Sequence, residues 1–168
     1  MKTLLFVLLC MLCNRGASAQ LSPTDEKVIR AVAAHWVVNL NDHRFEQMRT
    51  YTTPTLSVVN RMGMATHGQA EVIQTYQRIF DVLNQGVVFQ ESDVMVREVS
   101  PDAAMLNDIL TQVPAPSDGV KTGTSQPDRL QRTMFLVKQQ GRWLVAASQA
   151  TPIDLARIKT ATAAMAKK

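Results

Sequence analysis

Asp108 stands inside the run Ala103-Ala104-Met105-Leu106-Asn107-Asp108-Ile109-Leu110-Thr111-Gln112-Val113, with Asn107 beside it. Such a run reads as a central strand. Side chains along a strand alternate between faces, so one of these two polar residues must point inward. If it is Asp108, desolvation penalises the carboxylate and raises its pKa, which makes it a candidate general base. The competing arrangement leaves Asp108 in solvent and Asn107 inside. Asp93 is a weaker candidate of the same kind. His67 is the second candidate base: it precedes Gly68 at the start of a helical segment, and an imidazole titrates near neutrality. An exposed or structural role is the ordinary alternative for a lone His. His35 and His43 lie on helical segments without carboxylates at metal-ligand spacing. There is no His-Glu-x-x-His and no EF-hand loop, and Gly119-Val120-Lys121-Thr122-Gly123 has neither the order nor the spacing of a phosphate loop. No metal and no cofactor is expected.

These residues need elements to hold them. Ser22-Pro23-Thr24-Asp25-Glu26 is a helix start, with Ser22 or Thr24 as cap. The run Glu26 to Leu40 then places Ile29, Val32, Ala33, Trp36 and Leu40 on one helical face. Asn41-Asp42 breaks it, and a short helix follows, about His43 to Thr50. Pro54 ends the helical region. Strands are expected over Thr55–Val59 and near Met62–Thr66, then a helix over about Gln69–Leu83. From Val87 the reading is strand: Val87–Val99, a turn at Ser100-Pro101-Asp102, Ala103–Val113, a mobile loop over Ala115–Asp128, and a final hairpin. Asp154–Ala166 is an Ala-rich helical tail. Helices first and long antiparallel strands after make an α+β order.

The final hairpin joins Thr133-Met134-Phe135-Leu136-Val137-Lys138 to Trp143-Leu144-Val145-Ala146-Ala147-Ser148-Gln149-Ala150-Thr151-Pro152-Ile153 through Gln139-Gln140-Gly141-Arg142. The Gly-Arg-Trp turn running to Thr-Pro-Ile resembles the last strand of SnoaL-like proteins in the NTF2-like superfamily, and is most similar to the SgcJ/EcaC-type subgroup. The resemblance covers roughly Glu26 to Ile153. It implies a cone: a curved, mainly antiparallel sheet wrapped around a long N-terminal helix, with a pocket at the wide end. It also implies that the face carrying Trp143 points into the cone. By simple alternation Val145, Ala147, Gln149 and Thr151 share that face, which makes Gln149 a pocket residue able to orient a ligand but not to take a proton. Trp36, Tyr51, Tyr76 and Phe80 are the candidate aromatic wall; a plain core role is the alternative for each, above all for Phe80. The buried Asp of the related ketosteroid isomerases is the precedent for Asp108 as base. The family's usual acidic residue near the first strand is missing from Pro54-Thr55-Leu56-Ser57-Val58-Val59, so no acid–base pair is carried over.

Residues 1–19 read as a secretory signal: Lys2, an apolar Leu4–Leu12 too short to span a bilayer, and Ala17-Ser18-Ala19 before a mature start at Gln20. The domain is then 20–153 and the tail 154–168. Cys10 and Cys13 fall within the signal, so disulfides and thiolate chemistry are excluded from the mature chain. Its loss, with Lys2 and Arg15, takes the formal charge from +4 to +2. Without a basic patch interleaved with aromatics, nucleic acid is not an expected partner, nor is a membrane once the signal is cleaved. A secreted or periplasmic location follows.

Two functions fit. One is an exported domain that binds a small apolar or aromatic ligand. The other is a cyclase, isomerase or dehydratase using Asp108 or His67. A protein-interaction module built on the outer sheet face is a third, weaker reading. Both faces of the final hairpin carry apolar side chains, so a homodimer through the outer sheet face is expected, split by a charge at Leu144 or Leu136; the tail folding back over that face is the competing cover.

Overall fold

The computed structural model describes residues 21–82, 86–114 and 128–166. The expected signal segment, and all of the expected Ala115–Asp128 loop except Asp128, lie outside the described residues. Helix α1 is Pro23–Asn41, followed by a 3-10 helix, Phe45–Thr50. Strands β1 (Thr52–Val59) and β2 (Ala65–His67) precede helix α2 (Gln69–Val82). Then come β3 (Val87–Ser100), β4 (Ala103–Pro114), β5 (Asp128–Gln139), β6 (Arg142–Pro152) and helix α3 (Leu155–Met165). The result is the expected α+β fold: one six-stranded sheet in the order β2-β1-β6-β5-β4-β3, with α1 and α2 on its concave face. All pairings are antiparallel except β1 with β6.

Local chemistry accounts for the elements. Ser22 caps α1, its Oγ accepting from the Asp25 amide at 3.0 Å, and Pro23 occupies the first turn where no amide is required. Ile29, Ala33, Trp36, Val37 and Leu40 form its buried stripe. The helix is tied down at both ends. At one end Asp25 accepts from Trp143 Nε1 at 2.7 Å and from Lys138 Nζ at 2.9 Å; the Lys138 bond, then that of Trp143, lowers its pKa to about 2. At the other, the Asn41 amide group pairs with both backbone groups of Phe89. The β5–β6 hairpin turns on Gln140 and Gly141, both at positive φ, the conformation a two-residue turn between twisted strands demands.

Two expectations at the start of the sheet need correction. β1 begins at Thr52, so it runs through Pro54. Pro54 is exposed, and its missing amide falls where the β1–β6 register shifts, between Thr52 and Ser57. β2 is Ala65–His67 rather than Met62–Thr66; it is an edge strand, and His67 ends it two residues before α2 begins.

A bulge in β6 matters more. Phe135 pairs with Ala147 and Leu136 with Val145, so Ala146 is an extra residue. Before it, Trp143 and Val145 face the interior; after it, Ser148 and Ala150 do. Simple alternation had placed Ala147, Gln149 and Thr151 inside, and the bulge turns all three outward. Leu136 also needs correction: it is 0% exposed on the concave face, so a charge there attacks the core, not an outer contact. The tail helix has no buried residue and does not cover the outer face.

Candidate functional site

Between the two helices and the concave sheet lies a cavity of about 340 Å³. Trp36 and Leu40 of α1 and Tyr76, Ile79 and Phe80 of α2 form one wall. Phe89, Leu110, Leu130 and Ala150, from four different strands, form the other. The sheet curves away from the helices, and the side chains between them do not fill the gap. The aromatic wall is braced from behind: Phe45 stacks on Tyr76 at 6.0 Å between centroids, and Trp36 meets Tyr76 edge-on at 6.1 Å. The turn after β1 adds Asn60, Arg61 and Met62. Arg61 donates to Gln112 at 2.6 Å and to Asp128 at 2.8 Å, which fastens that turn to β4 and β5.

One charged side chain is set into this wall from within the core. Arg132 of β5 is 1% exposed and lines the cavity. Its Nε donates to both Asp108 oxygens, at 3.0 and 3.1 Å, and its Nη2 bonds Asp108 Oδ2 as well as Glu91 Oε1 at 2.7 Å. Asp108, Glu91 and Arg132 come from β4, β3 and β5, so the cluster spans three adjacent strands. A buried guanidinium requires such partners, since an unpaired charge in the core is costly. Burial, and then the neighbouring Asp108, push Glu91 up to about 7. Burial likewise raises the Tyr51 hydroxyl to about 12 and raises that of Tyr76.

The candidate residues separate against this geometry. Trp36, Tyr76 and Phe80 line the cavity. Tyr51 does not; it is buried beside Trp36, its hydroxyl accepting from Asn39 Nδ2 at 3.0 Å. Gln149 is exposed on the opposite face of the sheet, with Thr151 as its near neighbour, because of the Ala146 bulge. Asp108 does point inward, 0% exposed, while Asn107 faces out and donates to Thr133 Oγ1 at 2.7 Å. Yet Asp108 is not on the cavity wall, and both of its oxygens are held by Arg132. His67 is exposed, bonded to Ser57 Oγ at 3.0 Å, and does not line the cavity. Asp93 is an exposed bulge residue at positive φ. Arg132 and Glu91 were missed. The available signal was Arg132 itself, a cation flanked on its own face of β5 by Leu130 and Met134 and directly across from Asp108 once the strands are paired.

No curated protein matches the sequence. Among solved structures, the chain is similar to an uncharacterised protein with a cystatin-like fold from Caulobacter vibrioides, at 16% identity and a TM-score of 0.71, covering 80% of this chain and 94% of that one. It is similar to an NTF2-like protein of unknown function from Pseudomonas putida, at 16% identity, a TM-score of 0.68 and coverages of 81% and 92%. It is also similar to a ketosteroid isomerase-like protein from Erwinia carotovora atroseptica, at 21% identity, a TM-score of 0.60 and coverages of 76% and 95%. At these identities the likeness concerns the fold alone. The SnoaL-like domain family matches residues 29–152, from the buried stripe of α1 to the end of β6, and the chain belongs to it.

Proposed function

We propose that this protein binds a small apolar or aromatic molecule in the cavity between its helices and the concave sheet. The observation that carries this reading is the wall: about 340 Å³ bounded mainly by aromatic and aliphatic side chains, a size and lining suited to a small organic ligand. An environment-sensitive apolar dye such as Nile red tests it. The dye should bind the native protein, and Ala150→Phe, which fills the cavity, should abolish binding. Trp36→Ala should weaken it. Unchanged affinity in a folded Trp36→Ala protein would assign Trp36 to the core alone.

The alternative is a cyclase, isomerase or dehydratase. It is supported by the raised Glu91 and by the isomerase-like relative, rather than by Asp108 or His67. Glu91 does not line the cavity, which favours the binding reading. Export to the periplasm or medium belongs to the same proposal, on the strength of residues 1–19, as does membership of the SgcJ/EcaC-type subgroup, on the Gly141-Arg142-Trp143 to Thr151-Pro152-Ile153 pattern. A homodimer through the outer sheet face is supported by half-buried Phe135, Val137, Leu144, Met105 and Ile109, which α3 leaves uncovered.

A further inference from the structure

We propose that Arg132 Nη1 recognises one uncharged oxygen acceptor, a carbonyl of ketone or ester type, carried into the cavity by an otherwise apolar molecule. This rests on the binding reading above and narrows it to a chemical class. Nε and Nη2 of Arg132 are committed to Asp108 and Glu91, whereas Nη1, buried on a residue of the cavity wall, has no partner among the described residues. A buried donor without an acceptor is costly, so a ligand that supplies one gains more from that contact than from an equal area of hydrocarbon.

Charge decides which acceptor fits. The Asp108 carboxylate already matches the guanidinium, and Glu91 is a second acid on the same cation. A ligand carboxylate would be a third acid around a single positive charge, with burial adding to its cost. Among the described residues no second cation is buried as deeply: Arg61, the other Arg on the wall, is engaged by Gln112 and Asp128. Access argues the same way. With Arg132 only 1% exposed, a single small oxygen can approach it, not a solvated ionic head group.

The test uses three probes with one apolar body substituted at the same carbon: acetylnaphthalene, ethylnaphthalene and naphthoate. Binding to the full native protein is read by quenching of tryptophan fluorescence at pH about 8, where the naphthoate is ionised. The ketone should bind about tenfold tighter than the hydrocarbon, the worth of one hydrogen bond to a charged donor, and tighter still than the carboxylate. Equal affinity of ketone and hydrocarbon would overturn the role of Nη1 while leaving the cavity reading intact. Tightest binding by the carboxylate would overturn the charge argument. Binding by none of the three would remove the cavity reading and this proposal together. Arg132→Met combined with Asp108→Asn and Glu91→Gln removes the cation and both of its acids at once, so no charge is left unpaired. It should keep the hydrocarbon affinity and erase the ketone's advantage; an advantage that survives would overturn the assignment. The probe comparison on the native protein decides the matter even if that variant fails to fold.

Discussion

On its concave side β5 presents Leu130, Arg132, Met134 and Leu136, all buried; on its convex side it presents Gln131, Thr133, Phe135 and Val137, none fully buried. The two sets differ little in apolar content. What separates them is cover, since α1 and α2 pack over one side and α3 buries nothing on the other. The difference governs what a polar group must do on each side. On the concave side Arg132 is accompanied by two acids. On the convex side the half-buried Asn107 and Thr133 satisfy one another across neighbouring strands without any charge. One sheet therefore works under two sets of electrostatic rules, separated by the thickness of a backbone.

Placing the same charge on each face is the sharpest way to break this comparison. Leu136→Asp buries an unpaired carboxylate in the core and should yield no cooperatively folded protein by circular dichroism. Leu144→Asp, on the convex side, should leave the fold intact and convert the proposed dimer to a monomer in sedimentation. Two variants that both fold would show that the two faces impose the same cost on a charge. A smaller effect is expected from Glu91→Gln. Because the Glu91 pKa rises from 4.5 to about 7 on folding, the native state holds its proton more tightly. Stability contributed by that proton is present below about 4.5, falls as pH rises through about 7, and is level above. Glu91→Gln should flatten the Tm profile across that window by a few degrees; an unaltered profile would mean that Glu91 is solvated like a surface acid. The smallest effect is reserved for Gln149→Ala, which should change stability by less than about 0.5 kcal/mol and leave dye binding unchanged, as for other exposed strand positions.

Gln149 also marks where the sequence stops being legible. Helix α1, the order of elements and the hairpin turn were readable, because capping, helical spacing and turn chemistry are local. The inward direction of Asp108 was one of two readings that alternation allowed. The facing of β6 beyond Val145 was not readable, since a single extra residue opposite Phe135 and Leu136 leaves no mark in composition. Arg132 was overlooked for a related reason. A cation in a strand reads as solvent-facing until pairing sets it opposite Asp108 and within reach of Glu91 from the strand beyond. Trp36, Tyr76 and Phe80 lie on the cavity wall, whereas the placing of Tyr51 beside Trp36 depends on contacts between elements, which spacing along the chain does not encode.

The parallel pairing of β1 with β6 bears on the order in which the molecule can be completed. β3 to β6 form an antiparallel meander whose neighbours are joined directly, so each pairing closes a short stretch of chain. β1 instead waits for the last strand, and its register with Ala147, Ser148 and Gln149 closes a loop that encompasses α2 and the whole meander. The cavity wall draws on Trp36 near one end of the fold and Ala150 near the other. A nascent chain therefore carries both helices with their apolar stripes exposed and no enclosed space between them. The chamber comes into being only when the chain from Trp36 through Ala150 is present, which makes it a property of both helices and the whole sheet together and not of any one pair of elements.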